Sequence, residues 1–214
     1  SWLSPRVHSG SQYVTVSLPS AEELAGLGVD PARIAVVRNG LDPLPPDTAL
    51  PGAPSDEPPR LVVLSRLVPH KHVEDAIDVV AALRARHPGL MLDVIGSGWW
   101  AEKLHAYAAE RGLLAAPPPQ SDAGMGTGMG VDTVAGGSTA GGPGAGAVIF
   151  HGHVDEPTKH RLLAAATVHL MPSCKEGWGL AVSEAAQHGV PTVGYHHAAG
   201  LRDSIDDDET GLLV

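Results

Sequence analysis

The chain has 214 residues, 43% of them hydrophobic, enough for one large domain or two small ones around a real core. Its 14 basic and 24 acidic side chains give a net charge of -10. That leaves no basic stripe to neutralise a nucleic-acid backbone, although one or two well-placed cations suffice for a small anionic ligand. The single cysteine, Cys174, excludes an intrachain disulfide and fits a reducing compartment, and no apolar run is long enough to span a membrane.

The opening SWLSPRVHSG does not resemble a signal peptide and reads as the middle of something longer. Residues 13–17 (YVTVS) read as a strand. A helix follows in SAEELAGLG, with Ser20 and Glu23 spaced as a capping box and Gly28 closing it. Residues 34–37 (IAVV) are a strand, RNGLD after them is a turn, and the proline-rich run 43–59 is a linker or surface loop.

A cleaner series then begins. RLVVLS (60–65) is a buried strand. In VEDAIDVVAALRARHPG, Val73, Ile77, Val80 and Leu83 recur at helical spacing. LMLDVIG (90–96) is a strand, residues 102–111 a helix, and AVIFHG (147–152) a strand. EPTKHRLLAAA is a helix with Pro157 in its first turn, and VHLMPS (168–173) a strand at whose end Cys174 reads as a small buried residue. LAVSEAAQHG is a helix ended by Gly189, PTVGY (191–195) a strand, and GLLV the last strand. One segment, 117–146, breaks the pattern: PPPQSDAGMGTGMG and AGGSTAGGPGAGA hold too little apolar surface to order themselves. It reads as a flexible Gly-rich insertion, and it lacks the lysine of a GxxxxGK[ST] phosphate loop.

Strand and helix alternate at least five times, and the strands are continuous apolar runs. This predicts the α/β class, a doubly wound parallel sheet covered on both faces, in which ligands bind beyond the carboxyl ends of the strands. The residues just after each strand therefore carry the function. They include Arg66 and Lys71 after the first buried strand, and Ser97 and Gly98 after the second. His153 and Val154, the stretch from Cys174 to Gly179, and His196 and His197 follow later strands. Arg66 and Lys71 supply cations, while residues 177–180 lead into a helix N-terminus whose free amides and dipole favour negative charge. A pyrophosphate suits such an edge. Glu176 in the loop and Glu184 in the helix, eight residues apart, each offer a carboxylate that accepts two hydrogen bonds, as a vicinal diol requires. Two rings on either side of a pyrophosphate outline a nucleotide sugar.

Taken together, VVRNGLD, SRLVPHK, VIGSG, EGWGLAVSEAAQHGVPTVGY with its E-x7-E spacing, and GLRDSIDDDETGLLV resemble the C-terminal donor-binding domain of a retaining GT-B glycosyltransferase of family 4. The resemblance covers nearly the whole chain except the Gly-rich insertion. It implies a Rossmann-like domain over residues 1–214, the C-terminal half of a GT-B fold, with an acceptor-binding N-terminal domain outside this chain. It implies that Arg66 and Lys71 bind the donor diphosphate and stabilise the leaving group, and that Glu176 contacts the donor sugar. Glu184 would hold the ribose hydroxyls, and the amides of Gly177, Trp178, Gly179 and Leu180 would meet the sugar and phosphates. Val154 would lie near the base, with Gly96 and Gly98 under the nucleotide. Arg66, Lys71 and Glu176 would be the catalytic set. The implied donor is UDP- or GDP-linked, with no metal and no further cofactor, and an acceptor hydroxyl attacks with retention of configuration.

The implied acceptor is a glycan, glycolipid or small metabolite, held by the other domain. The location is the bacterial cytoplasm, with peripheral contact of the full-length protein at the inner membrane face. Alone, the chain would transfer little or no sugar. Two features depart from the family pattern: Trp99-Trp100 after the G-x-G, and Arg38 where proline is usual.

Other readings fit less well. VIGSGWW lacks the third glycine of a dinucleotide-binding G-x-G-x-x-G. Asp206, Asp207 and Asp208 contain a D-x-D, as in metal-dependent transferases, but read as a solvated turn. The pairs among the 12 histidines have no zinc spacing. From a different class stands a non-catalytic nucleotide-sugar-binding module, and on the same fold a sugar-nucleotide epimerase.

Overall fold

A computed structural model describes residues 8, 10–45, 58–115 and 146–214. The Gly-rich insertion lies outside these apart from Gly146, and most of the proline-rich run is outside them too.

Two parallel sheets form. The smaller pairs β1 (Tyr13–Thr15) with β2 (Ile34–Val36), joined through α1 (Leu18–Gly26). The capping of α1 differs from the expected capping box. Ser17 is the N-cap, its Oγ accepting the Ser20 amide at 3.3 Å, and Ser20 lies within the helix. Pro19 has no N–H to satisfy and tolerates the first turn, which moves the start three residues upstream.

The larger sheet has six strands in the order β5-β4-β3-β6-β7-β8, all parallel. They are β3 (Arg60–Leu64), β4 (Met91–Ile95), β5 (Val148–Gly152), β6 (Val168–Met171), β7 (Thr192–Gly194) and β8 (Gly211–Leu213). The connecting helices are α2 (Val73–Leu83), α3 (Ala101–Glu110), α4 (Glu156–Ala164), α5 (Leu180–Gln187) and the one-turn α6 (Leu201–Ser204). Each strand of the buried series appears within a residue or two of its predicted place, while α6 was not predicted.

The two faces explain why the strands read as unbroken apolar runs. On one face Leu61, Val63, Leu92, Val94, Val148 and Phe150 pack against the Val73, Ala76, Ile77 and Val80 stripe of α2 and against Leu104 and Ala108 of α3. On the other, Val62 and Ile95 meet Leu162 and Leu163 of α4 and Ala185 of α5. That second face also holds one buried carboxylate. Asp93 on β4 accepts Arg60 Nε at 3.0 Å and Nη2 at 2.6 Å, and lies 2.7 Å from His151 Nε2. The charge is tolerated inside because two partners satisfy it.

The strand order fixes where a ligand fits. The chain runs outward from β3 to β4 and β5, then returns to place β6 on the other side of β3. The connections from β3 and β6 therefore diverge, opening a crevice between their carboxyl ends.

Candidate functional site

A cavity of about 400 Å³ lies at this switch point. Its wall includes Leu64 and Arg66 from the end of β3, Lys71 from the β3–α2 loop, and Glu176, Trp178, Gly179, Leu180 and Ala181 from the β6–α5 loop and the start of α5. Val16 and Asn39, from the segments beside the small sheet, complete it together with Met171.

Local structure brings the charged groups there. Lys71 ends a 3-10 turn over Pro69–Lys71, and His72 follows in the left-handed region at φ 48 before α2 begins. The Cys174 amide donates to the His70 carbonyl at 3.1 Å, lacing the two loops together. Cys174 itself is half-buried, more accessible than the sequence suggests. Lys71 Nζ donates to Glu176 Oε1, with only 12% and 11% of the two side chains exposed. Arg66 is exposed and has no ion pair among the described residues. Among the described residues the cavity thus holds one neutralised pair, Lys71 with Glu176, and one cation without an ion pair, Arg66.

Gly179 starts α5 at φ 85, a left-handed turn that suits glycine, and no side chain caps the helix. The first amides of α5 are left for another acceptor, at the positive end of the helix dipole. Gly177 and the Glu176 carbonyl rest on Gly200, whose amide donates to that carbonyl at 3.1 Å. Trp178 Nε1 donates to Ser183 at 3.2 Å, and Arg38 stands over its ring at 5.7 Å.

The remaining expected site residues lie outside the cavity lining. Glu184 sits one helical turn beyond Leu180 and accepts Lys159 Nζ from α4 at 2.6 Å. Val154, just past β5, packs on the core cluster that also borders Leu64. Gly96 and Gly98 have a packing role. A Cβ at Gly96 would lie 1.9 Å from the Ser65 carbonyl oxygen, and one at Gly98 would lie 2.1 Å from that of Leu67. Only glycine lets the β4–α3 loop pass this close beneath the backbone that carries Arg66.

Sequence reasoning missed Val16, Asn39 and Ala181, whose side chains carry no motif beyond VVRNGLD, and Lys159, an ordinary helix lysine by pattern. Asp206, Asp207 and Asp208 form the turn before β8, where Asp207 Oδ1 accepts the Leu213 amide at 2.8 Å. Of the histidine pairs, His197 stacks on Tyr195 at 5.1 Å. The Tyr195 hydroxyl donates to Asp75 at 2.7 Å, and that bond, with burial behind it, pushes its pKa up to about 12. Among the described residues no group of three His, Cys, Asp or Glu side chains is placed to hold a metal ion.

Chemically, the cavity offers cations and amides for a phosphate-like anion and a carboxylate for hydroxyls. Several known proteins share the framework. The chain is 29% identical over 213 residues to "Glycogen synthase" of Mycobacterium tuberculosis, covering 99% of this chain and 43% of that protein. It is 29% identical over 225 residues to "D-inositol 3-phosphate glycosyltransferase" of Acidothermus cellulolyticus, covering 97% and 43%. It therefore spans less than half the length of these relatives. Among solved structures, Anabaena Alr3699/HepE in complex with UDP and glucose superposes with a TM-score of 0.70 at 19% identity, covering 100% of this chain and 53% of that one. The apo lipopolysaccharide outer core galactosyltransferase WaaB gives 0.65 at 23%, covering 95% and 48%. These neighbours share the GT-B glycosyltransferase fold. Two family models, both described as "Glycosyl transferases group 1", match residues 51–116 and 133–214, and the chain belongs to that family.

Proposed function

We propose that the chain binds a UDP- or GDP-linked sugar and forms the donor half of a retaining, metal-independent hexosyltransferase of family 4. The observation that carries this is the meeting of Arg66, Lys71, Glu176 and the uncapped start of α5 in one cavity at the switch point. The diphosphate lies against the α5 amides and the two cations. As the glycosidic bond breaks, negative charge grows on the leaving diphosphate, and donors fixed in advance around it stabilise that charge without reorganising. Glu176 faces the sugar once phosphate competes for Lys71. Glu184 takes the ribose hydroxyls, and the base lies toward Val154.

The acceptor hydroxyl attacks on the face the leaving group vacates, and is supplied by a glycan, glycolipid or small metabolite bound to a second domain. Because nucleotide sugars are cytosolic, the cytoplasm is the working compartment. Without the acceptor domain the chain binds donor but transfers little.

Calorimetric titration with UDP, GDP and ADP tests this. One nucleotide of the three binds, and Lys71→Ala and Glu184→Ala each weaken it by about tenfold, the loss of roughly one charge-assisted hydrogen bond. Unchanged affinity in both variants would refute the assignment.

A further inference from the structure

Lys159 lies on α4, a helix that supplies none of the residues assigned above to the donor. Its ammonium nevertheless crosses to α5, donating to Glu184 Oε1 at 2.6 Å. It also donates to Oε1 of Glu156 at 2.9 Å, within its own helix. An exposed i,i+3 pair with Glu156 alone would be worth little. The bridge is different: Lys159 is 15% exposed, Glu184 is 23% exposed, and Glu156 is 72% exposed. The lysine has given up hydration and rotamer freedom to reach the second helix. Burial pulls its pKa down, but the bonds to Glu156 and Glu184 outweigh burial and hold the ammonium above its usual value.

The neighbouring residue makes a parallel connection. His160 Nδ1 lies 3.0 Å from His188 Nε2. Residues 159 and 160 thus bind residues 184 and 188, one turn apart, and set α4 against α5. At its start α4 is fixed by Asp155, whose carboxylate accepts the Thr158 amide at 3.0 Å. Lys159 therefore projects from a rigid first turn.

For Glu184 the consequence is specific. One carboxylate oxygen is held, and Oε2 makes no hydrogen bond among the described residues. A glutamate on an open helix face would sample many rotamers, and anchoring one oxygen aims the other. The ammonium also neutralises a carboxylate that would otherwise repel a diphosphate nearby.

We propose that Lys159 is a positioning residue for the donor ribose: it holds Oε1 of Glu184 so that Oε2 accepts the ribose hydroxyls. This rests on the donor-site reading above. The measurement is the affinity ratio between UDP or GDP, whichever binds, and its 2′-deoxy counterpart, in the unmodified protein, Glu184→Ala, Lys159→Met and Lys159→Arg. The unmodified protein favours the ribonucleotide by ~10-fold or more, the value of a hydrogen bond to a charged group. Glu184→Ala and Lys159→Met both bring the ratio close to one, and Lys159→Arg restores most of it.

A merely structural lysine would lower both affinities together and leave the ratio intact. That result, or a full ratio in Lys159→Met beside a lost ratio in Glu184→Ala, overturns the inference while the donor site stands. A full ratio in Glu184→Ala, or no binding of either nucleotide, overturns the reading of Glu184 and the inference with it. If Lys159→Met does not fold, Lys159→Ala removes the donor altogether, and the same ratio decides the question in the same way.

Discussion

His169 on β6 is completely enclosed. Its Nδ1 shares a 3.0 Å hydrogen bond with Thr192 Oγ1 on β7, and its Nε2 has no partner. Burial penalises the imidazolium and lowers the pKa to about 4. The sign follows from linkage. An unfolded chain takes up this proton near pH 6.5, and the folded one does not until about 4. The contribution of His169 to stability is therefore full above about 6.5 and is lost as pH falls toward 4. Between pH 7.5 and 5 the loss amounts to about 2 kcal/mol. Urea denaturation at the two pH values checks it: His169→Asn, which can keep the Thr192 contact, should lose about 2 kcal/mol less than the unmodified protein over that interval. Equal losses would mean that water reaches the ring. Nothing in VHLMPS announces such a residue, because an apolar run shows which strand is buried but not how its polar members are satisfied. Asp93 in LMLDVIG escapes notice for the same reason, since its partners come from two other strands.

The elements were far more legible than their junctions. The stripe on α2 and the apolar runs of β3 to β7 appear in the sequence because helix and strand periods are local properties. The crossing of two loops is not local. The end of β4 and the β4–α3 loop bind the β3–α2 loop through Ser65 N–H to the Ile95 carbonyl at 3.0 Å, Leu67 N–H to the Ser97 carbonyl at 2.9 Å, and Trp100 N–H to the Leu67 carbonyl at 3.1 Å. Gly96 sits at the crossing with φ 129, and a Cβ there would strike backbone, which cannot swing aside as a side chain can. Gly96→Ala should cost about 3 kcal/mol from overpacking and backbone strain. It should also weaken nucleoside diphosphate binding, because the residue it displaces, Ser65, directly precedes Arg66. Gly112→Ala is the control. Gly112 also has positive φ, at 65, but a Cβ there meets nothing within 4 Å, so only strain of about 1 kcal/mol remains. Thermal denaturation of the two variants should separate close approach from backbone strain. Similar losses would show that the loops simply move apart.

At the scale of the molecule, the candidate site stands where two sheets meet. Arg66, Lys71 and Glu176, which the sequence puts just after their strands, line the cavity at the carboxyl edge, because a parallel sheet leaves little freedom there. The sequence could not show that β1 and β2 pair only with each other among the described strands, nor that the segments beside them supply Val16 and Asn39 to the cavity. That arrangement depends on a few contacts distant in sequence. Asp203, on α6, accepts the Leu18 amide at 2.7 Å and lies 3.9 Å from Arg38. The carboxylate therefore serves the amino end of α1 and reaches the cation that covers Trp178. Gln187 adds a bond to the Asp42 carbonyl at 2.8 Å, and the exposed Lys175–Glu23 pair contributes less. Removing Asp203 leaves both sheets intact and loosens one against the other. Asp203→Ala should raise amide hydrogen exchange over residues 13–36 while β3 to β6 stay protected, and nucleoside diphosphate affinity should fall several-fold although no proposed ligand contact has been touched. The fall follows because a cavity wall that must be ordered on binding subtracts its ordering cost from the affinity. Faster exchange with unchanged affinity would show that Val16 and Asn39 only border the site, and that the larger sheet alone holds the nucleotide.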